Sequence, residues 1–396
     1  MNAVVIGAGR IGCGLAGQLL RASGYEVTFI NRDPQVVENL ERNRRYSVLL
    51  TTATASRHVT VDGVSAIAAS NQAAAVEALR GADVIATAVC SQNLPAIAPL
   101  IAQALSGRER PCNIIAFENM PAAGDCLRRL VSAEMQAPEE IERHGFSGAI
   151  ISRIVTRRVG NPAADAPLTF VGEAVEDFIV DRTALRAPVP AIQGMKLVDN
   201  YQPWVLRKLY TFSSGHATAA YLGWLKGYHY IHTAIHDPEI RKAVFNAMAE
   251  GQRGLAAKFG SEFEGTWAEL EAIVARFENA ALNDQIVRVA RDPQRKLGAE
   301  ERLIGAGVLA HQAGVVPEQL ALVAAAALCF SNSGNHDSCR TCFEHSQAAE
   351  TLNQICGLDA ADGFGRIVAH SWAQLAPSLL PGNLLLSLKR RMWARI

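Results

Sequence analysis

The stretch AVVIGAGRIGCGLAGQLLRASG, residues 3 to 24, leaves this chain little choice of fold. Four apolar residues run into a glycine turn with the spacing GxGxxG at Gly7, Gly9 and Gly12, and a segment of helical periodicity follows, ending at a glycine. The next apolar run, EVTFINRD, reads as a second buried strand. A strand, tight turn, helix and strand in that order form a crossover that pairs its strands in parallel. Further strands are expected at 58–61, 82–89, 112–117 and 148–155, with helices between several of them, so the first half reads as a doubly wound α/β domain of the Rossmann type.

The character of the chain then changes. Residues 161–195 are rich in proline with two short strand-like runs, which suggests an irregular or hairpin connection closing the first domain. From Asp199 onward long amphipathic segments dominate, for example 238–260 and 317–330. The expected division is a dinucleotide-binding domain with extra strands over 1–195 and a mostly α-helical substrate and catalytic domain over 196–396.

Charge narrows the partners. With 38 basic and 38 acidic residues the net charge is zero, which argues against nucleic acid or an anionic membrane and for a small molecule. The apolar run Leu320 to Phe330 is too short to span a bilayer, so a cytoplasmic protein is expected, as a monomer or a homodimer. Eight cysteines scattered over 396 residues do not form a disulfide framework.

The glycine motif points to a dinucleotide. Gly7 permits a tight turn, Gly9 lets backbone approach a pyrophosphate, and Gly12 allows close packing of a helix whose N-terminal N–H groups face the phosphates. Arg10 and Ile11 in the turn, and Ala88 and Val89 at the end of the 82–89 strand, are expected beside it. A carboxylate at the end of the second strand would accept from the ribose of NAD, but Asn31 stands there and Arg32 follows with a fork suited to phosphate. NADP(H) is therefore expected over NAD(H). In the competing reading Arg32 is merely solvated and Asp33 takes the ribose.

The second domain opens with LRKLYTFSSGH. On one helix begun near Asn200, Lys208, Ser213 and His216 would share an arc of about 140°, and Lys208 would lie about 12 Å from His216 along the axis. A lysine facing a partly dry cleft could exchange a proton near neutral pH. A surface lysine and a satisfied core histidine would explain the same residues.

Longer segments resolve that choice. GAGRIG, ADVIATAV, NIIAFENM at 113–120, KLYTFSSGHATAAYLG at 208–223, RFEN at 276–279 and RVARDPQRKLGAEERL at 288–303 resemble the polyol-specific long-chain dehydrogenases, the mannitol dehydrogenase family, over nearly the whole chain. The resemblance implies that Lys208 is the acid/base, that Asn119 donates to the developing alkoxide, that His216 binds substrate hydroxyls, and that Arg288 and Lys296 touch substrate. Ser213 stands where the family has a second asparagine of the alkoxide site. Ile151, Ser152 and Arg153 replace a Val-Asp-Arg signature, and Thr156 replaces a proline or serine.

Arg153 and Arg157 are expected near substrate, and Arg157 with Arg158 could clamp a phosphate, phosphonate or carboxylate. With Arg288, Arg291, Arg295 and Lys296 they favour an anionic substrate. His336, Cys339, Cys342 and His345 are possible metal ligands, but their even spacing would scatter them around a helix, and no metal is expected. The expectation is a metal-independent, NADP(H)-dependent oxidoreductase interconverting a phosphorylated ketose and polyol. One alternative is a relative acting on a different hydroxy or keto acid or a phosphonate; another is a dinucleotide-binding protein with weak catalysis.

Overall fold

The computed structural model describes residues 1–161, 163–330 and 348–375. It divides into two units, Met1–Trp204 and a second that begins at Val205. The described strands all lie in the first: β1 Asn2–Ile6, β2 Glu26–Asn31, β3 Arg45–Thr51, β4 Ser56–Asp62, β5 Val64–Ala68, β6 Val84–Thr87, β7 Asn113–Ala116, β8 Gly145–Ile151, β9 Val155–Val159, β10 Thr169–Glu173, β11 Phe178–Asp181 and β12 Met195–Val198.

Eight strands form one sheet in the order β12-β11-β8-β7-β6-β1-β2-β5. From β8 through β5 every pairing is parallel, with Val4 opposite Thr28 on one side and Ile85 on the other. The β1 strand is buried on both faces, as parallel strands require. Ala3 and Val5 belong to one core cluster, which includes Leu15 and Leu19 of the glycine-motif helix, a π-helix Gly12–Gly17 continued by an α-helix Gln18–Ala22. Val4 and Ile6 belong to the other, beneath the helices Gln72–Gly81, Leu94–Leu105 and Ala123–Glu134.

A second sheet, β4-β3-β10-β9, shares the first cluster. Tyr46 of β3 is its keystone, meeting Phe29 and Phe170 edge-on at 5.8 and 5.9 Å, an arrangement the ring quadrupoles favour. The Tyr46 hydroxyl donates to the Cys13 carbonyl at 2.9 Å. The segment 161–195 carries two short strands that do not pair as a hairpin, with irregular backbone around them: β10 joins the small sheet by pairing with β3 and β9, and β11 joins the large one beside β8. The strands β3, β5 and β12 lie outside the expected set, and the strand expected at 148–155 is broken, β8 ending at Ile151 and β9 beginning at Val155 in the other sheet.

In the second unit the helix Pro238–Phe259 is capped by Asp237, whose carboxylate accepts from Glu239 and Ile240 N–H groups. It packs against the helices Ser214–Leu225 and Ile304–Gln312. Gly254 makes this close approach possible, because a Cβ there would lie 2.7 Å from the Ala310 nitrogen. Glu250 from the same helix accepts from the Gln319 and Leu320 N–H groups at 2.9 and 2.8 Å, at the start of the helix Glu318–Leu328.

The expected single helix from Asn200 is three pieces: an α-helix Tyr201–Arg207, a π-helix Lys208–Ser213 and an α-helix Ser214–Leu225. Among the described residues no helix is long and apolar enough to cross a membrane, and none of their His, Cys, Asp and Glu side chains cluster as a metal site. His336, Cys339, Cys342 and His345 lie outside the described residues.

Candidate active site

The sheet order places a topological switch point between β1 and β6, where the chain leaves β1 toward β2 on one side and toward β6 on the other. Ligands of open α/β sheets bind in the crevice outside the strand ends at such a point. Gly7 sits there with φ +103°, donating to the Ile30 carbonyl at 2.8 Å, and a Cβ on it would collide with the Ala88 carbonyl. A Cβ on Gly12 would strike the Gly7 carbonyl. Gly9 differs: it is exposed, and the space where its Cβ would stand is open. An open backbone cradle between two glycines that only packing demands is what a pyrophosphate needs, so the residues fit a dinucleotide.

The rest of this end is ordered around that cradle. Asn31 closes β2, and its Oδ1 accepts from the Ala8 N–H at 3.4 Å. Asp33 caps the helix Pro34–Asn43 by accepting from Gln35, while Arg32 is exposed. Arg10 donates to the Thr156 carbonyl at 3.1 Å, and Ile11 packs half-buried on the core. Ala88 and Val89 follow β6 directly, half-buried. Asn119 is exposed just past the end of β7, in a turn where the Met120 N–H donates to the Glu118 carbonyl.

Arg153 is buried beneath the glycine-motif helix. Its guanidinium donates to the Gly14 carbonyl and Gln18 Oε1, both at 2.7 Å, and to the Val175 carbonyl. Burial pushes its pKa down to about 10, opposed by the charges of Glu176 and Glu173. In this position it braces the helix. Arg157 lies half-buried on β9, an edge strand, opposite Val171 of β10.

In the second unit the π-helix bears on chemistry. Its i→i+5 hydrogen bonds place residues five apart one above the other, as an α-helix does for residues four apart. Lys208 and Ser213 open and close that single turn, so the lysine and the serine share a side. Burial, and then the charges of Arg302, Arg276 and Arg295, push the Lys208 pKa down to about 7, against the opposing pull of Glu301. Part of Lys208 remains accessible to solvent. Ser213 is buried.

Lys296 belongs to the same cationic group. It is buried, donates to the Arg291 carbonyl, and is pushed down to about 7 by burial and the charges of Arg302 and Arg295. Glu301 is the counter-charge: it accepts from Arg295 Nη1 at 3.1 Å and from Arg302 Nε at 2.9 Å.

His216 sits among aromatic rings and a carboxylate. It stacks on Phe277 with centroids 5.0 Å apart and meets Phe212 at 5.9 Å. Its Nε2 lies 3.0 Å from Asp284 Oδ2. The other carboxylate oxygen accepts from Arg288 Nε at 2.7 Å. Burial would raise the Asp284 pKa, but the His216 hydrogen bond and the charges of His216 and Arg288 hold it below the usual carboxylate value. Arg276 lies over the Phe212 ring, 4.3 Å from its centroid.

Sequence reasoning missed Asp284, Arg302, Glu301 and Glu118. Asp284 carries a readable signal, four residues before Arg288 on one turn. Arg302 carries none, since its role depends on how the segment before Ile304–Gln312 folds back on Lys208.

A nucleotide-type sheet with an open glycine cradle, joined in one chain to a helical unit that carries a desolvated lysine, fits a class: the two-domain nicotinamide dinucleotide-dependent dehydrogenases. Residues 1–194 match the family described as "Mannitol dehydrogenase Rossmann domain", and residues 200–361 match "Mannitol dehydrogenase C-terminal domain". The chain belongs to the mannitol dehydrogenase family and is an NAD(P)-dependent dehydrogenase acting on CH–OH groups.

Among curated proteins it is 37% identical to a mannitol-1-phosphate 5-dehydrogenase of Brevibacillus brevis, over 95% of this chain and 98% of that one. It is 33% identical to one of Caldanaerobacter subterraneus, over 96% and 100%. Among solved structures it is similar to Pseudomonas fluorescens mannitol 2-dehydrogenase in a ternary complex with NAD and D-mannitol, with TM-score 0.76 and 16% identity over 98% and 94% of the two chains. A substrate-free D-sorbitol dehydrogenase gives TM-score 0.75 and 16% identity over 96% and 93%. These two likenesses concern the fold.

Proposed function

We propose that this protein is an NADP(H)-dependent oxidoreductase that interconverts a phosphorylated ketose and its polyol, of the mannitol-1-phosphate 5-dehydrogenase kind, with Lys208 as general acid/base. The observation that carries the reading is Lys208 pushed down to about 7 by burial and by the charges of Arg302, Arg276 and Arg295, two of which, Arg302 and Arg295, also act on Lys296. A lysine near neutrality accepts and returns a proton at working pH. A cluster in which Lys208, Lys296, Arg276, Arg295 and Arg302 outnumber the carboxylates of Glu301 and Asp292 favours a substrate bearing a phosphate. The curated relatives bear names of that activity and align along nearly the whole chain.

In oxidation, neutral Lys208 takes the hydroxyl proton of the alcohol as its carbon gives up hydride and becomes a carbonyl. In reduction, the Lys208 ammonium returns that proton to the forming alkoxide. The dinucleotide, when bound, supplies the hydride donor or acceptor. Asn119 and Ser213 donate hydrogen bonds to the alkoxide as charge develops. His216, fixed by Asp284 and stacked on Phe277, holds substrate hydroxyls, with Arg288 and Lys296 as further contacts.

Three features support NADP(H) over NAD(H). No carboxylate ends β2, Asn31 is turned to the glycine loop, and Asp33 is engaged as a helix cap, which leaves Arg32 exposed for a 2′-phosphate. Initial rates with NADPH and NADH, each paired with fructose 6-phosphate and with unphosphorylated fructose, test the proposal. A second reading, a relative adapted to another hydroxy or keto acid, draws on Ser213, whose shorter hydroxyl replaces an amide donor.

A further inference from the structure

Glu118 stands outside the roles described so far. It is 4% exposed at the C-terminal end of β7, beside Asn119 in sequence. Its Oε1 accepts from the Val89 N–H at 2.8 Å, on the loop that leaves β6. Burial raises its pKa, while hydrogen bonds from the Val89 N–H, the Thr87 side chain and the Cys90 N–H act the other way. The loop it grips is unusual. Cys90 has φ +73° and ψ 142°, a conformation that a side chain disfavours, and Asn93 Nδ2 donates to the Val89 carbonyl at 2.6 Å from the other side. Just before it, Ala88 donates to the Ile6 carbonyl at 2.8 Å and its own carbonyl closes over Gly7.

We infer that Glu118 is a positioning residue that locks the Val89–Cys90 turn in a dinucleotide-ready form and joins it to the Asn119 turn. The inference rests on the reading of the β1–β6 crevice as the dinucleotide site. A buried carboxylate gripping a backbone N–H across two strand ends fixes both, because leaving either group unpaired in the interior is costly. The strained turn is held by that grip together with the Asn93 bonds to the Val89 and Cys90 carbonyls. Since Glu118 and Asn119 are adjacent, the same grip sets where the Asn119 backbone leaves β7. Glu118 touches the peptide N–H and has no reacting atom of its own.

The test is a fluorescence titration of the wild type, Glu118→Gln and Glu118→Asp with NADPH and with NADH, followed by steady-state kinetics. The glutamine keeps one acceptor oxygen for the Val89 N–H at the same reach but turns its amide NH2 toward the Cys90 N–H. Its dinucleotide Kd should rise by no more than about tenfold, less than that of the aspartate. The aspartate keeps the charge but falls one methylene short. Its Kd should rise roughly 10- to 100-fold, with a fall in kcat as Asn119 loses its setting. A Glu118→Asp that binds as wild type, or a Glu118→Gln impaired as severely as the aspartate, overturns the inference while leaving the dinucleotide site standing. Failure of the wild type to bind either dinucleotide overturns the crevice reading and this inference with it.

Discussion

Replacing Lys208 with methionine should abolish turnover and stabilise the protein, and the two effects have one cause. A lysine whose pKa falls from 10.5 to about 7 on folding pays its full penalty below pH 7, where both states are protonated, and loses it as pH rises toward 10.5. At 1.36 kcal/mol per pKa unit the penalty is about 4 kcal/mol at pH 7 and about 1.4 kcal/mol at pH 9.5. Polar contacts that Lys208 makes in the fold offset part of it, and methionine matches the buried stem in volume. Urea denaturation should therefore show Lys208→Met more stable than wild type by about 2–4 kcal/mol at pH 7, with the gain shrinking by more than half at pH 9.5. NADPH binding should be retained. A variant that is no more stable at pH 7, or whose gain does not depend on pH, would refute the claim that Lys208 is held desolvated among cations.

Three further outcomes follow from the site. Asp284→Asn removes the charge that orients His216 and Arg288, so substrate KM should rise at least about tenfold with dinucleotide Kd unchanged, read by kinetics beside titration. Ser213→Asn restores an amide donor on the face shared with Lys208 and should raise kcat by up to about tenfold; a loss of kcat would show that the buried site cannot take the larger side chain. Arg32→Ala should raise KM for NADPH roughly tenfold and leave that for NADH unchanged.

Much of the first unit is legible in the sequence because its signals are local. Apolar runs end at Gly7 and Gly24, and an uninterrupted apolar strand such as β1 can only be buried on both faces. The β3 and β5 strands escape notice for equally local reasons. β3 starts two residues after the helix Pro34–Asn43, across Arg44 in the left-handed region, and β5 is separated from β4 by Gly63 alone. The role of β10 and β11 is unreadable because two short neighbours in sequence enter different sheets, a choice made by the partners β3 and β8.

The site divides the same way. The spacing of Lys208, Ser213 and His216 can be read from the chain, but the π-helix that aligns the first two cannot, since hydrophobic periodicity does not distinguish one wide turn within a helix. Arg153 reads as a substrate contact from its place in a signature, and in the fold its Nε and Nη1 donate to Val175, Gly14 and Gln18. Arg302 acts on Lys208 only through tertiary folding.

The most direct test of the central claim is the pH dependence of kcat/KM for NADPH-driven reduction of fructose 6-phosphate and for oxidation of the corresponding polyol phosphate. If Lys208 carries the proton, reduction should fall and oxidation should rise as pH passes through about 7, and both should vanish in Lys208→Met. A flat profile in both directions, or turnover of a keto acid with none of the ketose phosphate, would contradict the account.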